Sequence, residues 1–164
     1  MNPKGIPCLY LSTTANAAMS EVRPWIGSLV TVAQFAVARD LTVVNCALSH
    51  DQYLHLAFGR RQFFEAIPDH EIDEIVWARI DLAFAEGVTA SDDMAEYAAT
   101  QTIAELFRSE GYNGIQYKSA FGKDAFSVAL FDLDAAVQLD GTLYKTKSAE
   151  FIFEQTGNPY YVTA

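Results

Sequence analysis

The apolar positions of this chain change period twice, from the two-residue alternation of strands to the 3.6-residue period of helices and back. Cys8 to Leu11 reads as a short buried strand after a turn around Pro3, Gly5 and Pro7. Ser12 and Thr13 then offer capping hydroxyls to a helix running to about Val22. In that helix Ala15, Ala18, Met19 and Val22 predict a core-facing stripe at i, i+3, i+4, i+7 spacing, and Pro24 ends it. Gly27 to Ala38 alternates and is rich in β-branched residues, which predicts a strand. Leu41 to Cys46 predicts a second, and the Arg39-Asp40 turn between them makes the two a hairpin.

The middle of the chain reads as helical. Gln52 to Glu65 and Glu71 to Phe84 carry apolar residues at helical spacing, Pro68 separates them, and Gly87 closes the second. Ser91 to Asp93 starts a third helix, Met94 to Arg108, which ends before Gly111. Strands then return. Asn113-Gly114 is a turn or the start of a strand, Ile115 to Ser119 alternates, Ala125 to Phe131 is a continuous buried run, and Val137 to Tyr144 adds a further strand. The order strand, helix, strands, helices, strands is that of an α+β domain.

Composition narrows the class. A length of 164 residues suits one domain, and an apolar fraction of 51% with 13% aromatics argues for a packed core and against disorder. The most apolar stretch, Val30 to Val44, is interrupted by Gln34, Arg39 and Asp40, so no run reaches the roughly 18 residues of a membrane span. The start, Met1 to Gly5, has no signal-peptide pattern, and two cysteines, Cys8 and Cys46, make neither a disulfide framework nor a metal cluster. The expected location is the cytoplasm. Eleven Lys and Arg against 21 Asp and Glu give a net charge of −10, which opposes nucleic-acid binding; Arg60-Arg61 is a pair and no more. An anionic ligand therefore needs its own local donors.

Familiar catalytic patterns are missing. His50 and His55, five apart, lie about 140° apart on a helix, and no His-x-x-x-His or Cys-x-x-Cys spacing exists, so no metal is expected. His70 stands between Asp69 and Glu71 at a helix start, where acids suit the dipole. Gly111, Gly114 and Gly122 form neither a dinucleotide fingerprint nor a Walker loop. Trp25, Trp77 and the Phe63-Phe64 pair read as core.

Three segments carry a family pattern. They are Asn2-Pro3-Lys4-Gly5-Ile6-Pro7-Cys8-Leu9-Tyr10-Leu11, then Ala18-Met19-Ser20-Glu21-Val22-Arg23-Pro24-Trp25, then Gly111-Tyr112-Asn113-Gly114-Ile115-Gln116-Tyr117-Lys118-Ser119. In that order they resemble the RES family, named for Arg, Glu and Ser residues. Gln101, in Tyr97-Ala98-Ala99-Thr100-Gln101, fits a Y-x-x-T-Q helix of such sequences.

The resemblance implies a compact fold like that of ADP-ribosyltransferases, with small, mainly antiparallel sheets and flanking helices. It implies a single RES-like domain over residues 1–164, lacking the family's N-terminal segment: the arginines that members place before the N-P-x-G segment have no counterpart after the start at Met1, and Lys4 lacks their planar fork. NAD is the implied substrate, with no prosthetic group and no metal. The implied activity is cleavage of the nicotinamide–ribose bond with transfer of ADP-ribose to phosphate, water or a protein. Several members are toxins of bacterial toxin–antitoxin pairs, so a cognate antitoxin with a helix-turn-helix domain is an implied partner. The alternative is a catalytically inactive RES-like interaction module without the upstream arginines.

Carried over residue by residue, the resemblance makes Glu21 the catalytic carboxylate and assigns Tyr10, Ser119, Tyr117 and Gln101 to NAD. The chemistry suits these types. Breaking an N-glycosidic bond builds positive charge on the ribose, and a carboxylate aimed at that charge binds the transition state selectively. Taken alone, Glu21 reads as an ordinary helix-flank glutamate paired with Arg23 or another residue; the small neighbours Ala17 and Ala18 leave room for a ligand. Tyr10 offers a ring to stack on nicotinamide and is otherwise a core strand tyrosine. Ser119 alternates in phase with Ile115 and Tyr117 and has no histidine partner, which makes it a binding residue rather than a nucleophile.

Overall fold

The computed structural model describes residues 6–48, 50, 68–85, 94–122, 124–150, 153–155 and 157. The expected helix Gln52 to Glu65, the closing Gly87 and the helix start at Ser91 to Asp93 lie outside them. Among the described residues no helix is long and apolar enough to cross a membrane. The elements form a mixed α+β domain built on a four-stranded sheet and two two-stranded ribbons.

The first strand, β1 (Leu9–Ser12), leads into α1 (Ala15–Glu21). The cap is Thr14, whose Oγ1 accepts from the Ala17 N–H at 3.2 Å, not Ser12 or Thr13. Those two are taken by the sheet: the Ser12 hydroxyl donates to the Phe126 carbonyl, and Thr13 Oγ1 accepts from the Phe126 N–H. The predicted stripe shifts for the same reason. Ala17 is the fully buried residue of α1, Ala15 is exposed, and Val22 lies beyond the seven-residue helix as an exposed C-cap.

The predicted hairpin does not form. Gly27 to Ala38 splits into β2 (Leu29–Val32) and β3 (Phe35–Val37), and Val137 to Tyr144 splits into β7 (Ala136–Gln138) and β8 (Thr142–Lys145). β2 pairs with β8 and β3 with β7, both antiparallel. The two breaks face each other: the Leu139 N–H donates to the Gln34 carbonyl, and the Gln34 N–H donates to Asp140 Oδ1. The strand β4 (Val43–Asn45) instead joins the main sheet, parallel to β5 (Gly114–Lys118). Alternation specifies a strand but not its partner, and here long-range pairing wins over the nearer turn.

In the main sheet the order is β1, β6 (Phe126–Leu130), β5, β4. Ile115 opposes Ala129 and Gly114 opposes Leu130, so alternate residues feed two cores. On one face Ile115, Ala129, Val44 and Cys46 meet α2 (Asp69–Ala85) and α3 (Met94–Ser109) through Phe84 and Ala104. Trp77 and Phe107 stack between the two helices with centroids 6.3 Å apart. Opposite, Leu130, Ala135 and Ala136 pack with Leu9, Phe35 and Val43. Burial pushes the Cys46 thiol up to about 12, with Asp81 adding to the effect.

Two local devices set the register of β5. Gly111, at φ +89°, and Tyr112 close α3 by donating to the carbonyls of Arg108 and Phe107, a Schellman cap, and Tyr112 packs edge-on against Phe107. Asn113 then exchanges bonds with Thr42, its N–H donating to the carbonyl and its Oδ1 accepting from the N–H at 2.8 Å. Trp25, expected in the core, is 78% exposed. It lies just beyond the left-handed turn at Arg23 (φ 46°) that follows the end of α1.

Candidate functional site

The helices cover the sheet only part of the way along. Ile115 and Ala129 lie beneath α2 and α3, while the next pair on the same face, Tyr117 and Ser127, borders a cleft of about 1170 Å³. Sites for small molecules run to roughly 300–1,000 Å³, so the space admits a dinucleotide. Its walls are β1, α1, β2 and β8, with Phe84 from α2 and Thr100 from α3.

Glu21 is the last residue of α1 and lines this cleft. Its Oε1 accepts two hydroxyl donors, Ser119 at 3.3 Å and Ser127 at 3.2 Å. The serines are 5% and 3% exposed, so the carboxylate meets solvent from one side and dry donors on the other. Tyr10 lines the cleft from β1, about half exposed at 46%. Tyr117 stands in a tilted contact with Phe84, centroids 5.8 Å apart. Burial raises the Tyr117 phenol above its ordinary range, and the negative charge of Glu21 and then Tyr10 add to that, against a hydrogen bond with Ser127. The phenol is thus protonated throughout the physiological range.

Four of the five residues expected from sequence therefore meet at one place. Tyr10, Glu21 and Tyr117 line the cleft, and Ser119 stands behind the carboxylate. Gln101 does not join them. Its predecessor Thr100, about 100° around the helix, is buried and lines the cleft instead. Sequence reasoning missed Ser127 and Arg23. Ser127 had a signal, being the polar residue inside the apolar run Ala125 to Phe131. Arg23 was read as a partner for Glu21; it is the one cation among the described residues lining the cleft.

His50, set aside as a ligand, has a structural partner. Its Nδ1 lies 3.0 and 3.3 Å from the two oxygens of Asp81, a carboxylate only 2% exposed, which ties the segment after β4 to α2.

No curated protein and no solved structure matches the chain. The family model of the RES domain, in contrast, matches residues 1–149 and so takes in every strand and helix described above. A match of that length settles the relationship that the glutamate, the tyrosines and the serine first indicated: the chain belongs to the RES domain family, in general a family of NAD-related toxin domains of enzymatic character.

Proposed function

We propose that this chain consumes NAD, breaking the bond between nicotinamide and ribose and passing the ADP-ribosyl group to phosphate, water or a protein side chain. The observation that carries the reading is the Glu21 carboxylate, held by two buried hydroxyls at the wall of a cleft large enough for a dinucleotide. As the glycosidic bond lengthens, its electron pair leaves with nicotinamide, which becomes neutral, and positive charge builds on the ribose. A fixed carboxylate stabilises that charge more than it stabilises the ground state. An acceptor oxygen then bonds to the ribose carbon and releases its proton to solvent. No electron is transferred to or from the protein.

Other lining groups suit the remaining parts of the substrate. The Tyr10 ring offers an apolar face to nicotinamide, and the Tyr117 phenol a neutral hydroxyl. Arg23 can hold the diphosphate with its planar fork, a role that matters in a chain whose net charge of −10 repels anions. In this reading the chain is the toxin of a pair whose antitoxin, carrying a helix-turn-helix domain, covers the cleft. The test is direct: purified protein is incubated with NAD, and free nicotinamide and the ADP-ribosyl product are followed by chromatography, with phosphate present or absent. Sustained nicotinamide release supports the proposal. A folded chain that leaves NAD intact under both conditions refutes it.

A further inference from the structure

Holding a carboxylate still requires donors, and counting protons shows which donor is committed to it. A serine hydroxyl has one proton to give. That of Ser119 faces two acceptors, Glu21 Oε1 at 3.3 Å and the Phe121 carbonyl at 3.4 Å, and its oxygen accepts from the Phe121 N–H at 3.1 Å. Ser119 is thus divided between the carboxylate and its own turn. Ser127 is not. Among the described residues its hydroxyl has a single acceptor, Glu21 Oε1 at 3.2 Å, and at 3% exposure water does not compete for it.

We infer that Ser127 is the positioning residue of the site, its buried hydroxyl donating to Glu21 Oε1 and so fixing the carboxylate. This rests on the reading of Glu21 as the group that meets the developing ribose charge. Both serines bond the same oxygen, so neither donates to Oε2. Ser127 acts through Glu21 and does not itself touch substrate in this account.

The test compares Ser127→Ala, Ser127→Thr, Ser119→Ala and the unaltered protein, each checked for folding by circular dichroism. A bond to a charged acceptor is worth enough that Ser127→Ala lowers kcat for nicotinamide release by roughly 10- to 100-fold, with KM changed less than about 3-fold. Ser119→Ala has the smaller effect, and Ser127→Thr, which keeps the hydroxyl on a strand that tolerates β-branching, restores most of the rate. A second readout needs no NAD: three-bond NMR couplings across the Glu21 side chain report one rotamer in the unaltered protein and averaging in Ser127→Ala. Couplings that stay fixed in Ser127→Ala, or a kcat within twofold of the parent, overturn the inference. If the parent releases no nicotinamide but the couplings average on substitution, the positioning role stands and the proposed activity falls.

Discussion

Replacing Gly114 by alanine isolates how tightly β5 is held. A Cβ built at this position lies 2.4 Å from the Ala129 carbonyl oxygen, 3.0 Å from Leu130 Cδ2 and 3.1 Å from Leu130 Cα. Two of those three atoms are backbone, so no side-chain rotation relieves the overlap, and β5 and β6 must separate. Overpacking of this kind costs about 1–3 kcal/mol, and a strand bond weakened by the separation adds about 1 kcal/mol. The expected loss is about 2–4 kcal/mol. Gly111→Ala is the control, because a Cβ there meets nothing within 4 Å and only its φ of +89° resists substitution; that strain costs about 1–2 kcal/mol. Urea unfolding followed by circular dichroism measures both, with equal m-values as the condition for comparing midpoints. Gly114→Ala also moves the strand that carries Tyr117 and leads into Ser119, so its activity falls further than its stability requires. A Gly114→Ala protein as stable as Gly111→Ala would refute the close approach of these strands.

Two further outcomes follow from the same geometry. Arg23→Ala weakens NAD binding about 10-fold by calorimetry and leaves nicotinamide riboside, which has no diphosphate, unaffected, with Arg23→Lys intermediate; equal losses for both ligands would remove Arg23 from the diphosphate. His50→Ala strips the buried Asp81 carboxylate of its nearest partner and lowers unfolding stability by about 2 kcal/mol, a figure reduced because the imidazole is about a third exposed; a change below about 0.5 kcal/mol would show the pair to be incidental.

What the sequence revealed and what it hid divide along physical lines. α3 was legible because an amphipathic period sustained over 16 residues has few alternatives, whereas the 17 residues of α2, only weakly amphipathic, were legible as a run after Pro68 that neither Gly nor Pro interrupts. β5 and β6 were legible through alternation and an apolar run. The ribbons were not: β2, β3, β7 and β8 find partners roughly a hundred positions away, and nothing local encodes that choice. The reading of α1 placed its cap one or two residues early and ran one residue past its end, because a periodic template extends past a helix whose end is set by the Arg23 turn. At the site, Tyr10, Glu21, Tyr117 and Ser119 were reached through a family pattern, and the fold brings them together. Ser127 escaped because a lone serine in a buried strand looks like tolerated packing until a carboxylate from α1 is seen to reach it. Gln101 does not line the cleft and Thr100, one helical position before it, does, a difference that period alone does not resolve.

The account stands or falls on the charge of Glu21. Glu21→Gln keeps the size of the side chain and removes the negative charge, so the measurement is kcat for nicotinamide release at saturating NAD in the two proteins. Removing one preorganised electrostatic partner of a transition state costs roughly 100- to 1,000-fold, and the account predicts a fall of that order with NAD affinity little changed. Release by the Glu21→Gln protein within about twofold of the parent would contradict it.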